Sequence, residues 1–321
     1  MKIDVHSHFY PKPYLEALDR LTQGDTSPWT LGVRKLLTTK IAPDRRMVEI
    51  DAHLEDMDRA GVDVQALSLS IPQVYFDDER IAVELARITN DSLADICACH
   101  PKRFKGFVVL PLPHVEAAIK ELDRAIGDLG LHGVTLGANV KGRRLDDESF
   151  LPLYREINRQ RLTIFLHPMI PPAQEQMADY DLSAAVGFML DSTLAVLRLV
   201  YRGVFEENRD LNFIVPHLGA LLPYVWDRVE NSYQTRPEAR LHVQQPPSHY
   251  LKRLYYDSVN FHPPAWSCAV QTIGAEKLMY GSDYPFALGS MERGIECIEA
   301  LDVTAEQREM IYSGNALRLL R

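Results

Sequence analysis

Lys2-Ile3-Asp4-Val5-His6-Ser7-His8 places two histidines, separated by one residue, at the end of a short apolar run. Side chains alternate between the two faces of a β-strand, so His6 and His8 would project to the same side, about two strand rises apart. One divalent cation could bind both rings. On this stretch alone a second interpretation stands beside the metal site, in which His6 is a hydrogen-bonded core histidine and His8 a loop residue.

Three later strand-like runs also lead into a residue that can bind a metal or transfer a proton. These residues are His167, His217 and Asp283. The carboxyl ends of parallel strands in a closed sheet face one side, so four such runs would bring their terminal side chains together. This convergence favours the metal interpretation of the N-terminal histidines.

Predicted strands and helices alternate along the rest of the chain. The strands cover residues 2–8, 62–70, 104–110, 132–137, 162–167, 211–217, 254–259 and 277–281. Helical spacing of apolar residues separates them, as in residues 44–60, which Gly61 would end as a left-handed cap. Eight strands joined by helical crossovers over about 280 residues predict a (β/α)8 TIM barrel.

The barrel prediction treats residues 1–321 as a single domain with a small insertion after strand 1, at about residues 22–43. We expect the part of it around residues 25–43, which carries Trp29, to be irregular and to lie near the active face. A doubly wound sheet is the alternative architecture, but it requires a switch point and usually a glycine-rich phosphate turn, and the sequence contains no G-x-G-x-x-G.

Composition narrows the class of partner. The chain has 321 residues, 46% of them hydrophobic and 25% charged, and a formal net charge of −9. With no dense run of lysine and arginine, we expect a small-molecule partner, and neither a nucleic acid nor an anionic membrane. The N-terminus has no secretory h-region and no uninterrupted apolar run reaches about 18 residues, so we expect a cytoplasmic protein whose four cysteines are reduced thiols.

Three imidazoles and one carboxylate suit Zn²⁺ or a neighbouring first-row metal such as Mn²⁺, and disfavour Mg²⁺ and Ca²⁺. We interpret His6, His8, His167 and Asp283 as the ligands. His217 is then the acid or base that exchanges a proton with a water whose pKa the metal lowers. In the alternative assignment His217 is itself a ligand and Asp283 is the base.

The motifs around these positions resemble the amidohydrolase superfamily, and more closely its branch that contains aminocarboxymuconate-semialdehyde decarboxylase. Asp-Val-His-Ser-His-Phe begins the resemblance and Gly-Ser-Asp-Tyr-Pro-Phe ends it. The matching segments, which span nearly the whole chain, are residues 4–9, 57–65, 166–168, 217–219, 246–248 and 281–286.

One departure from the superfamily concerns the number of metal ions. Binuclear hydrolases of the superfamily that this chain resembles carry a carboxylated lysine at the end of the fourth strand. Here that strand ends at Gly137, and Lys141 follows beyond the turn. We therefore expect one divalent metal per chain.

A second departure concerns substrate binding. The branch has an arginine-rich region before its second strand that contacts substrate carboxylates, and the nearest candidates here are Arg45 and Arg46. Where the semialdehyde decarboxylase carries another arginine, this chain has His53. The resemblance thus implies a carboxylic acid substrate, but one that differs from that of the named enzyme.

Arg228 matches an arginine that reaches the substrate carboxylate in this branch. It follows His217 by eleven residues in a helical tract, so it would lie roughly 15 Å away and could not reach the same metal. We therefore expect a homodimer in which Arg228 serves the neighbouring site. The alternative is a solvated helix arginine paired with Asp227 or Glu230.

The resemblance implies a metal-dependent, non-oxidative decarboxylase of an aromatic or muconate-semialdehyde-type carboxylic acid. A hydrolase of the same superfamily, which cleaves a lactone, an amide or a carbon–carbon bond, is the principal alternative. Release of CO₂ without net water uptake distinguishes the two. A barrel that only binds a ligand is a third possibility, which the intact ligand set disfavours.

Overall fold

A curled parallel sheet of seven strands forms the centre of the computed structural model, which describes residues 1–171 and 174–320. Its strands are neighbours in the order β1 (Ile3–His8), β2 (Val64–Ser68), β3 (Phe104–Val108), β4 (Gly133–Gly137), β7 (Thr163–His167), β8 (Asn212–Val215) and β9 (Tyr255–Tyr256). Two short strands, β5 (Asn139–Val140) and β6 (Arg143–Arg144), form a separate antiparallel hairpin. Because the seven strands are adjacent in chain order, the sheet has no switch point, and the doubly wound alternative is wrong.

The seven-stranded sheet curls around an apolar interior. Every residue of β1, β4 and β7 is buried, as expected of parallel strands covered on both faces. One apolar cluster draws side chains from most strands of the sheet: Ile3, Val5, Ala66, Phe107, Phe165, Ile214, Tyr255 and, after the last strand, Met279. Side chains from strands this far apart in the order can join one cluster only if the sheet closes around them.

The segment after β9 completes the curl without forming a regular strand. The predicted eighth strand over residues 277–281 is wrong in this respect, because Ala275–Lys277 is a 3-10 helix and the residues beyond it form only isolated bridges. The segment nevertheless hydrogen-bonds to both edges of the sheet. Met279 N donates to Tyr256 O at 2.8 Å, and Val5 N donates to Tyr280 O at 3.0 Å.

Helices connect the strands and pack against the outer face of the sheet. The α-helices are α1 (Lys12–Leu21), α2 (Pro28–Leu36), α3 (Arg45–Val48), α4 (Ile50–Ala60), α5 (Glu79–Cys99), α6 (Val115–Gly127), α7 (Leu151–Arg159), α8 (Phe188–Tyr201), α9 (Val204–Glu207), α10 (Leu222–Thr235), α11 (Pro247–Leu251), α12 (Pro263–Ile273), α13 (Met291–Glu299), α14 (Ala305–Glu309) and α15 (Asn315–Leu319). Gly61 ends α4 with φ 68°, as the sequence predicts.

The region expected to be irregular is largely helical. Residues 28–36 form α2 and a π-helical turn, Leu37–Ile41, continues it. The Ser27 side chain accepts a hydrogen bond from Thr30 N, and Pro28 occupies the first helical position, both of which favour a helix start. The helix then buries Val33 and the turn buries Leu37 and Ile41, so the expectation of an irregular segment is wrong.

The tract Ser183–Tyr201 is predominantly apolar, with Asp191 and Arg198 as its charged residues. By length and composition alone it could cross a membrane, but core helices of globular proteins meet the same criterion. Val196, Leu199 and Val200 on α8 pack into the main apolar core. The opposite side of the tract leaves Val186 and Leu194 exposed.

Candidate metal centre

Four side chains converge at the carboxyl ends of the strands. His6 and His8 come from β1, His167 ends β7, and Asp283 follows the segment that closes the sheet. All four are buried, and one nitrogen or oxygen atom from each lies within 4.8 Å of those of the other three. Asp283 Oδ1 is 3.1 Å from His8 Nε2 and 3.3 Å from His6 Nε2. Two donors about 2.1 Å from one cation in a tetrahedral site lie about 3.4 Å apart, which is close to these two distances.

Each of the three histidines has its other ring nitrogen, Nδ1, beside a hydrogen-bond acceptor. The partners are Asp257 Oδ2 for His6 at 2.5 Å, Ser68 Oγ for His8 at 3.0 Å and the carbonyl oxygen of Pro168 for His167 at 2.7 Å. The carboxylate and the carbonyl can only accept. The Ser68 hydroxyl already donates to Ser7 O, so it accepts from His8 as well.

These partners determine which tautomer each ring adopts. With the proton on Nδ1, the lone pair of each Nε2 points toward the other rings and Asp283. His6 Nε2 is buried and has no hydrogen-bond partner among the described residues. A metal ion would bind this unpaired nitrogen, and the hydrogen bonds at Nδ1 would orient the ligands. The donor set of three nitrogens and one carboxylate therefore fits a first-row divalent cation.

The electrostatics of the cluster favour one added positive charge. Burial disfavours charge on His6, but the carboxylates of Asp257 and Asp283 outweigh it and raise the His6 pKa to about 10. Burial lowers the pKa of His8 to about 4 and that of His167 well below its usual range. Burial raises the pKa of Asp283, but the neighbouring histidines lower it further, so this carboxyl is ionised. A cation would take the place of the His6 proton.

The two loops that carry His217 and Asp283 have an unusual backbone conformation. Both residues adopt left-handed conformations, with φ of 57° and 58°, which non-glycine residues hold only when the surroundings enforce them. Asp4 anchors the second loop, because Ser282 donates to it from its backbone nitrogen at 3.0 Å and its hydroxyl at 2.6 Å. Gly289 packs so closely that a Cβ there would overlap the carbonyl oxygens of Ser282 and Asp283.

His217 borders the cluster on the solvent side. Its Nε2 lies 3.7 Å from Asp283 Oδ2, and its ring centroid lies 5.3 Å from that of His6. His217 Nδ1 is buried and has no hydrogen-bond partner among the described residues. Unlike the other three rings, His217 thus has no hydrogen-bond acceptor at Nδ1 among the described residues.

A cavity of about 460 Å³ opens beside these residues. Its metal-centre side consists of His167, His217 and Asp283. The remaining wall is mostly apolar and aromatic: Tyr10, Leu36, Lys40, Ile41, Ser70, Ile71, Asp181, Ala184, Ala185, Phe188, Met189, Val259, Asn260, Phe261, Phe286, Ala287 and Leu288. Such a cavity suits a ring-sized organic ligand with polar groups at one end.

The predicted substrate-binding arginines lie outside this cavity. Arg45 pairs with Glu55 at 2.9 Å and Arg46 with Asp44 at 2.6 Å, and both guanidinium groups are about half exposed. Arg228 is exposed on α10 and forms no ion pair with any described residue. None of the three lines the cavity.

The other residues singled out from the sequence have structural partners. The proposed partners of Arg228 bond elsewhere, since Asp227 accepts from Asn231 and Glu230 from Ser248 N. His53 is buried between Gln65 Oε1 and Arg46 O, at 2.8 Å from each. Lys141, beyond β4, pairs with Asp77 at 2.5 Å and lines a separate cavity.

Sequence reasoning missed Asp257. This buried carboxylate follows β9, contacts His6 and also accepts from Val259 N at 2.9 Å and Leu218 N at 3.3 Å. A signal was present, because Asp257 is a charged residue inside the predicted strand 254–259, although it is not the last residue of that strand as His167 is of its own. A search confined to side chains that touch the metal overlooks a residue whose role is to orient a ligand.

Comparison with known proteins gives matches over nearly the whole chain. The Amidohydrolase family profile matches residues 3–321. The chain is 31% identical to 2-amino-3-carboxymuconate-6-semialdehyde decarboxylase of Dictyostelium discoideum, over 100% of this chain and 91% of the relative. It is also 31% identical to gamma-resorcylate decarboxylase of Rhizobium sp. strain MTP-10005, over 86% and 88% of the two chains.

Solved structures agree as well. One is 5-carboxyvanillate decarboxylase of Novosphingobium aromaticivorans with bound manganese and 3-methoxy-4-hydroxy-5-nitrobenzoic acid, which is 25% identical and superposes with a TM-score of 0.90 over 100% of this chain and 97% of that one. With a family match from residue 3 to residue 321 and full-length similarity to these enzymes, the chain belongs to the amidohydrolase family, in the branch that contains the decarboxylases.

Proposed function

We propose that the protein is a metal-dependent, non-oxidative decarboxylase of an aromatic or muconate-semialdehyde-type carboxylic acid. The observation that carries the proposal is the cluster of three Nε2 atoms and one carboxylate beside an apolar, ring-sized cavity. The full-length similarity to decarboxylases supports the same reaction class.

The proposed ligands of a single divalent cation are His6, His8, His167 and Asp283. The nitrogen-rich donor set favours Zn²⁺, whereas manganese in a related decarboxylase structure makes Mn²⁺ the alternative. When bound, the cation supplies positive charge that attracts a substrate oxygen and stabilises negative charge in the transition state.

In the reaction the bond between the ring carbon and the carboxylate breaks, and its electron pair stays on that carbon. CO₂ leaves and one proton takes its place. We assign proton transfer to His217, because it lines the cavity and its Nδ1 has no hydrogen-bond partner among the described residues. The Asp283 carboxylate, whose Oδ2 faces His217, would stabilise the imidazolium, and after His217 has given its proton to the ring carbon a proton from solvent would replace it.

The cavity wall would orient the ring. Phe188, Phe261 and Phe286 present aromatic surface and Ile71 and Val259 aliphatic surface, which together exclude water from the carbon that becomes electron-rich. Hydrolysis consumes a water and decarboxylation does not, so a mostly apolar wall suits decarboxylation better.

We further propose that residues 1–321 are one barrel domain with an insertion at about residues 22–43, and that two copies form a homodimer. The insertion contributes Leu36 and Ile41 to the cavity. The exposure of Arg228, which has no ion-pair partner among the described residues, is consistent with a role in the neighbouring copy's site.

The test is a substrate panel assayed for CO₂ by mass spectrometry, with the metal content of each preparation measured in parallel. The panel comprises dihydroxybenzoates, muconate semialdehydes and carboxylated pyrimidines. We expect about one Zn²⁺ or Mn²⁺ per chain and CO₂ from at least one acid, without net water uptake. Opening of a lactone or amide with no CO₂ from any acid would instead assign the protein to the hydrolases.

A further inference from the structure

Among the residues that the structure describes in the wall of the 460 Å³ cavity, Lys40 is the single lysine or arginine. It lies on the π-helical turn Leu37–Ile41 and is exposed. Its ammonium group forms no ion pair or hydrogen bond with any described residue. Two other cationic residues do have acidic partners, since Arg34 pairs with Asp19 and Lys141 pairs with Asp77.

Lys40 and the metal centre belong to different parts of the cavity wall. The centre lies at the strand ends, whereas Lys40 belongs to the helical segment that follows α1, and its ammonium group contacts none of the four candidate ligands. Leu36, about one turn earlier, lines this cavity and also the adjoining cavity of about 1000 Å³, whose described wall includes none of those ligands. A ligand with one polar end at the metal centre therefore shares its cavity with a second, separate positive group at Lys40.

Most of the cavity wall is apolar, so Lys40 is the group there that could attract an anionic part of a ligand. The same wall includes Phe188, Phe286 and Ile71, which give a ring apolar contact and no charge. Among the described residues of the wall, Asp181 is the only acidic one apart from Asp283, and it is not within ion-pair distance of Lys40. An anionic group on the substrate would supply the missing partner.

We propose that Lys40 binds a second carboxylate of the substrate, remote from the carboxylate that is lost, and so selects dicarboxylic over monocarboxylic acids. The proposal rests on the proposed decarboxylase function for its orientation of the substrate. The proposal also explains how a carboxylate could be bound without Arg45 and Arg46, which pair with acidic residues and lie outside the cavity. Lys40 provides the positive charge inside the cavity.

The experiment measures binding to the metal-loaded protein by calorimetry, so it does not depend on turnover. The probes are benzoate, benzene-1,3-dicarboxylate and benzene-1,4-dicarboxylate. The variants are K40Q, K40R and, as the matched control, K35Q, because Lys35 is an exposed and unpaired lysine five residues earlier that does not line the cavity.

We expect wild-type protein and K35Q to bind at least one dicarboxylate more tightly than benzoate. K40Q should lower the affinity for that dicarboxylate by roughly 5- to 50-fold, because a charge-assisted hydrogen bond at a partly exposed site is lost. The affinity of K40Q for benzoate should stay within about twofold of the wild-type value. K40R should retain most of the preference. Higher salt should reduce the preference in wild type and not in K40Q.

For any acid found to release CO₂, a second readout separates substrate binding from chemistry. K40Q should raise KM for a dicarboxylic substrate with kcat nearly unchanged, because the lost interaction is the same in the ground state and the transition state. Equal weakening of benzoate and the dicarboxylates in K40Q, or no preference for a dicarboxylate in wild type, would overturn the proposal. Absence of CO₂ from every acid would count against the decarboxylase function and leave the binding comparison intact.

Discussion

At the residue scale, Asp257 determines the tautomer of His6. Its Oδ2 accepts from His6 Nδ1, and its Oδ1 accepts from two backbone nitrogens, Leu218 N and Val259 N. An amide in its place would keep its oxygen on the backbone donors and turn its NH₂ group toward His6. The imidazole would then accept at Nδ1 and carry its proton on Nε2, where it blocks the metal.

We therefore predict that Asp257→Asn weakens metal affinity by roughly 10- to 100-fold, the range seen when the partner of a ligating histidine is lost. Competition with a chromophoric chelator measures the affinity. Asp302→Asn, at an exposed acidic residue, should bind metal as the wild type does. Unchanged affinity in Asp257→Asn would show that His6 does not depend on this carboxylate.

Also at the residue scale, substitution of His217 distinguishes a role in metal binding from a role in proton transfer. If it transfers the proton, His217→Ala should keep about one metal per chain and lower kcat by roughly 10²–10⁴-fold, the usual cost of a lost general acid or base. Metal analysis and steady-state assays on one preparation measure both quantities, and His249→Ala, at an exposed histidine, is the control. Loss of metal from His217→Ala would favour the alternative in which His217 is a ligand.

At the element scale, the loop after residue 281 must bring Asp283 to the histidines in a left-handed conformation. Asp4 on β1 holds the loop through two hydrogen bonds from Ser282, and Gly289 packs against the carbonyl oxygens of Ser282 and Asp283. The loop is therefore held by close backbone packing as much as by hydrogen bonds.

Gly289→Ala tests this packing. The new methyl group would overlap the carbonyl oxygens of Ser282 and Asp283, and backbone atoms cannot rotate away as a side chain can. We predict a lower melting temperature and a lower metal content. Gly127→Ala, at the end of α6 with no atom near the added Cβ, should be neutral or slightly stabilising in thermal unfolding. Full metal loading in Gly289→Ala would mean that the loop adjusts freely.

At the scale of the whole molecule, the exposed apolar side chains favour association of two copies. Leu182, Val186, Leu190 and Leu194 are exposed at four-residue spacing along the tract that begins beside the cavity, and Tyr224 is exposed on α10. The two helices are neighbours, because Leu221 N donates to Thr193 Oγ1. Arg228 lies one turn beyond Tyr224, near this apolar surface.

Complementation tests whether two copies share a site. Inactive His217→Ala and inactive Arg228→Ala subunits, when mixed, should recover activity, because one site in each mixed dimer then has both wild-type residues. Size-exclusion chromatography and a differently tagged pair confirm that mixed dimers form. Mixed dimers without activity, or full activity of Arg228→Ala alone, would contradict the shared site.

The sequence by itself determined the features that depend on local pattern. Apolar runs and helical periodicity located the seven strands of the curled sheet, though not the hairpin of β5 and β6. The residues at the strand ends identified the four side chains that converge, because parallel strands in a curled sheet direct their carboxyl ends to one side. The prediction failed at two places. The helix start at Ser27 and Pro28 was overlooked, although residues 28–36 form a helix, and the last predicted strand is a segment held by isolated bridges.

Only the tertiary structure decided which groups meet across the fold. The partnership of His6 with Asp257 joins residues 251 positions apart, and no spacing rule relates them. The same holds for the cavity wall, where Lys40 lines the site and Arg45 does not, although they are five residues apart. Local sequence specifies which way a strand or helix faces, but the contacts between distant side chains depend on how the whole sheet curls and how its loops pack.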